Sequence, residues 1–244
     1  MRGGPQYPDD DDPNGVKRTL GLEGAAPPGR LAILDAQPPL RIVAGAGTGK
    51  TATITRAIVE RVRSGDLLPN QVLGITFTNK AAREMKERIA GMLTEEQAAD
   101  ITASTFHALC MRILRADADK LGYKNNFTIF DEGDQLGLIK KVINRVTAKD
   151  EKLDPGLAKN LISKAKNNGW SAPQDDETVI GAVYARYNRD LLSLNAMDFD
   201  DLIWEAVSHL QNRAGLAQQL RNRWPYILED EAQDSVPLQE ILIQ

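Results

Sequence analysis

The chain has 244 residues, of which 42% are hydrophobic and 26% charged, with a formal net charge of -4. These values exclude a wholly disordered or fibrous class, and no apolar run reaches the roughly eighteen residues that span a bilayer. The acidic balance also argues against bulk electrostatic wrapping of duplex DNA, so any nucleic-acid contact must be local. The single cysteine, Cys110, excludes an internal disulfide. We therefore expect a cytoplasmic protein without membrane contact.

The N-terminal part of the chain changes character near Leu31. Residues 1–30 carry clustered Pro, Gly and Asp without a hydrophobic period, which predicts a flexible leader. The short apolar segment Leu40–Ala44 then predicts a strand. A glycine-rich loop follows it and runs into Lys50–Arg63, which is composed of helix formers. The order is strand, loop, helix.

Two further strand and helix pairs follow. Strands are predicted over Gln71–Phe77 and Ile101–Ser104, and helices over Lys80–Leu93 and from about Thr105. Strands that alternate with helices indicate an α/β fold with a parallel sheet covered by helices on both faces. Residues 31–116 are therefore predicted to form the first part of an α/β domain.

Beyond Ala116 helical periodicity replaces the alternation, which predicts an all-helical inserted subdomain over residues 117–192. In one of its helices Asp131 is placed to cap the N-terminus. One face of that helix carries Leu136, Ile139, Val142, Ile143 and Val146. A helix from about Asp198 and a strand at Pro225–Leu228 then return to the α/β pattern, so residues 193–244 form its second part.

The helical region contains a basic stretch between Lys140 and Lys166. Its eight basic residues outnumber three acidic ones. This stretch is either a solvated helical face or a nucleic-acid patch. The sequence leaves both interpretations open.

The glycine-rich loop predicts a phosphate site. It consists of Ala44, Gly45, Ala46, Gly47, Thr48, Gly49, Lys50 and Thr51. Glycines let successive N–H groups face one anion, and the N-terminus of the following helix favours negative charge. In such a P-loop the Lys50 ammonium reaches the β and γ phosphates while the Thr51 hydroxyl ligates Mg²⁺. Ala44 stands where the strict pattern has glycine, and the alternative is an ordinary glycine-rich turn.

A P-loop needs a carboxylate for the metal. Asp230 and Glu231 follow the last predicted strand, as a Walker B pair does. Asp230 would hold Mg²⁺ and Glu231 would polarise the attacking water. Because loops at the carboxyl ends of parallel strands share one edge, we expect these residues to meet the P-loop. The alternative for the pair alone is a solvated turn.

Five ordered motifs resemble the superfamily 1 helicases of the UvrD/Rep/PcrA type. They are the segments 44–51, 75–85, 105–109, 198–202 and 230–234, the last accompanied by Gln239. The resemblance implies a RecA-like ATP-binding domain with a helical insert, which uses ATP and Mg²⁺ to move from 3′ to 5′ along single-stranded DNA. It also implies that Gln233 senses the γ-phosphate and couples hydrolysis to DNA.

The resemblance places DNA contacts after two of the strands. These residues are Phe77, Thr78, Asn79, Thr105, Phe106 and His107. Hydroxyl and amide groups can hold phosphates, and aromatic faces can stack bases. The alternative is structural, with both threonines as helix caps and both phenylalanines in the core.

Two departures from the family pattern bear on activity. The family usually has a glutamine that reads adenine near position 29, whereas this chain has Gly29. The chain also ends at Gln244, ten residues beyond Asp234, so we expect the second RecA-like domain to be absent from these residues. Because that domain supplies an arginine finger, the chain by itself is expected to hydrolyse ATP slowly or not at all.

The sequence is compatible with three functions. The chain is the ATP-binding part of a DNA helicase, completed by the second domain or by a longer chain, or it is a catalytically silent module that binds nucleotide and single-stranded DNA. A P-loop kinase or another ATPase is the third possibility. It would leave Thr105 to Leu109 and Gln233 without a role.

Overall fold

A computed structural model describes residues 18–21, 40–43, 49–147, 153–170 and 178–243. The chain divides into two compact units, Met1–Pro69 with Met85–Asp100 and Asn70–Glu84 with Ile101–Gln244. None of the helices within the described ranges combines the length and apolar character needed to span a bilayer.

The regular elements of the described residues alternate as the sequence predicts in the first hundred residues and again near the end. The strands are β1 (Arg18–Gly21), β2 (Leu40–Val43), β3 (Val72–Thr76), β4 (Thr102–Thr105), β5 (Thr128–Phe130), β6 (Ala196–Asp198) and β7 (Tyr226–Glu229). The helices are α1 (Lys50–Arg63), α2 (Asn79–Ala90), α3 (Glu95–Asp100), α4 (Phe106–Ala116), α5 (Glu132–Val146), α6 (Pro155–Asn167), α7 (Val179–Ser193), α8 (Phe199–Asn212), α9 (Ala214–Arg223) and α10 (Pro237–Leu242).

The first unit contains a two-stranded parallel sheet in which Arg18 of β1 lies opposite Leu40 of β2. β1 falls inside residues 1–30, where the sequence predicted a leader without regular structure. A strand of four residues is too short to show a period among the surrounding Pro, Gly and Asp residues. The other residues of that predicted leader lie outside the described ranges.

The second unit contains a three-stranded parallel sheet in the order β4-β3-β7. Thr76 at the end of β3 lies opposite Thr105 of β4, and Ile75 lies opposite Glu229 of β7. Every residue of β3 is buried, as expected for the central strand of a parallel sheet. The carboxyl ends of the three strands therefore meet at one edge.

The predicted helical region is not entirely helical. β5 lies within residues 117–192 and pairs in parallel with β6, Thr128 opposite Ala196 and Phe130 opposite Asp198. This corrects the all-helical prediction for the insert. A three-residue strand gives no periodic signal, and its partner lies far along the chain.

The described strands form three separate parallel sheets, whereas the sequence predicted one. The hydrophobic pattern predicts that strands are parallel, but it does not say which strands are neighbours. The prediction of a mixed α/β fold with parallel strands is confirmed.

Three hydrophobic clusters hold the second unit together. The helices α5, α6 and α7 share one that includes Leu138, Ile139, Val142 and Ile143, with Val146 packed against it. The predicted helix face is confirmed except at Leu136, which is not part of this cluster. A second joins α4 to α8, and a third packs α4 against β3. The predicted Asp131 cap is confirmed, because its side chain accepts a hydrogen bond of 2.9 Å from the Asp134 amide.

The basic stretch is not uniformly a surface. Lys140, Lys141 and Lys164 are exposed, but the Lys166 side chain is 0% exposed. Its ammonium lies between two buried carboxylates of the α8 N-terminus. Lys166 therefore belongs neither to a solvated helical face nor to a nucleic-acid patch. A count of charges within one stretch of sequence cannot detect a partner such as Asp198, which lies 32 residues further along the chain.

Candidate functional site

The first candidate site is the N-terminus of α1. Gly49 precedes the helix with a φ of 87°, a left-handed conformation that glycine adopts readily, and Lys50 is the first helical residue. The first turn contains no acidic side chain and no side-chain cap. Such a helix start favours an anion. Ala44, Gly45, Ala46, Gly47 and Thr48 lie outside the described residues, so their P-loop geometry stays a prediction.

Two threonines hold the backbone of this first turn. The Thr53 hydroxyl donates to the Gly49 carbonyl at 3.0 Å, and the Thr55 hydroxyl donates to the Thr51 carbonyl at 2.6 Å. Helical threonines commonly form such bonds to the carbonyl four residues earlier. The roles of Lys50 and Thr51 as phosphate and metal ligands stay a prediction.

The second candidate site is the carboxyl edge of the β4-β3-β7 sheet. Phe77, Thr78 and Asn79 follow β3, while Asp230 follows β7. The Asp230 amide donates a hydrogen bond of 2.8 Å to the Ile75 carbonyl, so the ladder continues one residue beyond β7. The edge brings together three of the segments predicted from the sequence, those of β3, β4 and β7.

The carboxylate segment after β7 forms a tight turn. Asp230 is buried, and its Oδ1 accepts a bond of 3.1 Å from the Glu231 amide. Glu231 has a φ of 61°, which is uncommon outside glycine. The Gln233 amide donates to the Glu231 carboxylate, and the Ser235 hydroxyl donates to Glu229. A strained backbone at a predicted catalytic residue is typical of functional turns.

A single buried carboxylate such as Asp230 is compatible with a magnesium ion bound together with nucleotide, but not with a metal site built from protein ligands alone. Among the described residues no group of three or more His, Cys, Asp or Glu side chains could hold a metal ion. Mg²⁺ in nucleotide sites is usually bound by one or two carboxylates together with phosphates and water. Asp230 is the kind of carboxylate ligand that such a site uses.

The segment after β3 is exposed to solvent. The Phe77 side chain is 59% exposed, which excludes the core interpretation for this ring. The Thr78 hydroxyl accepts a bond of 3.1 Å from the Ala81 amide, so Thr78 does cap α2 as the structural alternative predicts. The hydroxyl proton of a capping threonine can still be donated to a phosphate. Asn79 is also exposed.

The segment after β4 divides between core and surface. Thr105 caps α4, accepting a bond of 3.2 Å from the Ala108 amide. Phe106 is 4% exposed and belongs to the cluster that contains Leu73. Phe106 therefore has the core position that the structural alternative predicts. A buried ring cannot offer a face to a base.

His107 is partly buried, and its ring meets Phe199 edge to face with centroids 5.5 Å apart. Burial lowers the pKa of His107, and the Asp200 carboxylate opposes that shift. The imidazole is therefore neutral near pH 7 and suited to hydrogen bonding or stacking, more than to charge pairing.

Sequence reasoning missed Phe199 as a site residue, although it lies in the motif 198–202. Its side chain is 49% exposed at the first position of α8. Its neighbours could have indicated this exposure, because a phenylalanine flanked by Asp198 and Asp200 is not part of a hydrophobic helix face. The exposed ring of Phe199 thus packs against the partly buried ring of His107.

The chain matches a family model described as UvrD/REP helicase N-terminal domain over residues 27–244. It is 38% identical to the ATP-dependent DNA helicase PcrA of Leuconostoc citreum over 219 residues, which are 87% of this chain and 29% of that protein. It is 40% identical to the ATP-dependent DNA helicase UvrD1 of Mycobacterium bovis over 234 residues, which are 91% of this chain and 30% of that protein. The chain thus spans under a third of the length of these relatives.

Proposed function

Because the chain belongs to the UvrD/REP helicase N-terminal domain family, we propose that it is the ATP-binding part of a helicase that couples ATP hydrolysis to 3′-to-5′ movement along single-stranded DNA. The observation that carries this proposal is the shared edge of the β4-β3-β7 sheet. There the predicted catalytic carboxylates follow one strand, and predicted DNA-binding residues follow the two others.

On the nucleotide side, the proposal gives each residue one task. Residues 44–51 would wrap the phosphates, the Lys50 ammonium would bind the β and γ phosphates, and the Thr51 hydroxyl and Asp230 would hold Mg²⁺. The metal, when bound, neutralises charge on the phosphates. Glu231 orients the attacking water, and Gln233, which donates to the Glu231 carboxylate, can relay the state of the γ-phosphate.

On the DNA side, we assign base stacking to the exposed rings of Phe77 and Phe199. Thr78 and Asn79 would hold phosphates through hydroxyl and amide groups, and His107 would support Phe199. Thr105 and Phe106 would not contact DNA themselves. Thr105 caps α4 and Phe106 anchors its first turn in the core, so both hold the start of α4 in place.

The proposed architecture is a RecA-like domain built from residues 31–116 and 193–244, interrupted by an insert over residues 117–192. The hydrophobic cluster of α5, α6 and α7, which also contains Ala196 of β6, supports an insert whose core lies mostly within residues 117–192. The pairing of β5 with β6 supports a connection of that insert to the second part of the domain.

We propose that rapid turnover needs a second RecA-like domain that supplies an arginine finger. Such arginines are worth about 10³ to 10⁵ in rate. The 244-residue polypeptide assayed alone should therefore bind Mg·ATP and single-stranded DNA but hydrolyse ATP slowly. Robust DNA-stimulated turnover by this polypeptide would contradict that statement.

The test compares the wild-type chain with Lys50→Ala and with Lys140→Ala, a control that removes an exposed lysine of α5. Binding of a fluorescent ATP analogue with Mg²⁺ and of an oligo(dT) strand is measured for each. Loss of a charged phosphate contact should weaken Mg·ATP binding by at least about tenfold in Lys50→Ala. The control should match wild type. Full Mg·ATP affinity in Lys50→Ala would refute the P-loop assignment.

A further inference from the structure

A buried ion network joins α6 to the start of α8. The Lys166 ammonium lies 2.7 Å from Asp198 Oδ2 and 2.6 Å from Asp201 Oδ1. The Tyr187 hydroxyl of α7 donates to the same Asp198 oxygen at 2.9 Å. Burial by itself lowers the pKa of Lys166, but the two carboxylates outweigh it and raise the pKa. The lysine therefore carries a full charge inside the protein.

The neighbouring residue extends this connection. Asn167 donates a hydrogen bond of 2.9 Å from its side-chain amide to Asp200 Oδ1. Consecutive residues of α6 thus hold Asp198 and Asp200, which are the two residues on either side of Phe199. The first turn of α8 is fixed on both flanks of its exposed ring.

The turn that follows α6 also packs closely against α8. Gly169 has a φ of 74°, and a Cβ at this position would come within 3.3 Å of the Trp204 ring. A side chain at this position would force the ring or the turn to move. The turn after α6 therefore packs closely against α8, next to the contacts that Lys166 and Asn167 make with the α8 N-terminus.

Stability alone is a poor explanation for this network. A buried ion pair often stabilises a protein no more than packed hydrophobic residues of similar volume, because both charges lose their water. Such a pair does restrict the relative orientation of the two helices, because charge-assisted hydrogen bonds form only in a narrow range of geometries. An exposed ring must be held in a defined orientation if a base is to stack on it.

We propose that Lys166 and Asn167 are positioning residues for single-stranded DNA binding, acting through Phe199 by fixing the first turn of α8. The inference rests on the proposed function and deepens its DNA side. It assigns the end of α6, in the proposed insert, a task at the DNA surface of the proposed RecA-like domain, without contact between either residue and the DNA.

The experiment is a double-mutant cycle read as affinity for oligo(dT) by fluorescence anisotropy. The variants are Lys166→Met, Asn167→Ala and Phe199→Ala, with each α6 change also made in the Phe199→Ala background. Lys164→Met serves as the control, because Lys164 is an exposed lysine of the same helix. Mg·ATP affinity and thermal unfolding are measured in parallel. Lys166→Arg tests whether a conservative cation restores binding.

We expect Lys166→Met and Phe199→Ala each to weaken oligo(dT) binding about tenfold, and Asn167→Ala about threefold. Neither α6 change should weaken binding further in the Phe199→Ala background, and Mg·ATP affinity should stay within about twofold of wild type. Should Lys166→Met fail to fold, Asn167→Ala carries the same test, because its removal leaves no buried charge unpaired.

Two results would overturn the proposal and are distinct from failure of the proposed function. Equal losses in both backgrounds would mean that the network acts on general stability and not through Phe199. Unchanged affinity in the α6 variants, with a loss in Phe199→Ala, would remove Lys166 and Asn167 from DNA binding. If the wild-type chain binds no oligo(dT) at all, the proposed function itself falls, and this inference with it.

Discussion

The Asp230 amide donates a hydrogen bond of 2.8 Å to the carbonyl oxygen of Ile75. Asp230 begins the carboxylate turn, and Ile75 lies two residues before Phe77. One backbone hydrogen bond and two residues of β3 therefore connect the turn after β7 to the exposed ring of Phe77. This is a physical route by which nucleotide and DNA could affect each other's binding.

Binding of the two ligands should consequently be coupled and reciprocal. A saturating amount of oligo(dT) is expected to change the affinity for Mg·ATP by about five- to tenfold, and saturating Mg·ATP should change the oligo(dT) affinity by the same factor. Phe77→Ala should reduce both factors together. Titrations of each ligand in the presence and absence of the other measure these factors, and affinities that do not change when the other ligand is present would contradict the coupling.

Two phenylalanines of the predicted DNA-binding set should behave in opposite ways. Phe77→Ala removes an exposed ring and is expected to weaken oligo(dT) binding about tenfold with little change in the free energy of unfolding. Phe106→Ala empties a core position and should lower the free energy of unfolding by about 3 to 5 kcal/mol. Denaturant unfolding and anisotropy separate the two effects. Similar effects of the two substitutions would contradict the assignment.

The difference between these rings also shows where sequence reasoning reaches its limit. Helix starts could be predicted, because a cap such as Asp131 or Asp198 bonds to an amide only three residues away. β3 could be predicted because its whole run is apolar. By contrast, the exposure of Phe77 and the burial of Phe106 depend on the neighbouring strand and helix, and both residues follow a strand in the same way.

Long-range pairing explains the other gaps. Lys166 meets Asp198 across 32 residues, and β5 finds β6 across an even longer stretch. Neither partner leaves a local pattern, so the lysine was counted with a basic stretch and β5 was not predicted. The motif residues could be predicted because each motif is a short run of contiguous residues. The meeting of the segments after β3, β4 and β7 at one sheet edge follows from the rule for parallel strands. The expected meeting of Asp230 and Glu231 with the P-loop stays a prediction, because residues 44–48 lie outside the described ranges.

The strained backbone of Glu231 gives a prediction about stability. At a φ of 61°, any residue with a Cβ is disfavoured relative to glycine. Glu231→Gly should therefore be more stable than Glu231→Ala by about 1 kcal/mol. Both variants lose the hydrogen bond from Gln233, so they form a matched pair. Thermal or denaturant unfolding measures the difference, and a more stable alanine variant would show that the turn is not strained at this residue.

Cys110 should be chemically inert in the folded chain. Its side chain is fully buried, and this burial raises the pKa of the thiol to about 12. The thiolate is the reactive form, so a thiol reagent should modify the native protein only through unfolding. Between pH 7 and 9 the native chain should therefore be labelled far more slowly than the denatured chain at the same pH, in which the exposed thiol has its ordinary pKa of about 8.5.

The same shift has a consequence for stability. Above pH of about 8.5 the unfolded chain releases the thiol proton that the folded chain retains, so the free energy of unfolding should fall as pH rises. Cys110→Ala removes this contribution, and its unfolding free energy should lose less between pH 8 and 10 than that of wild type. Unfolding in denaturant at several pH values provides the measurement. Rapid native labelling at pH 8, in a chain that remains folded by circular dichroism, would contradict the burial of Cys110 between α4 and α8.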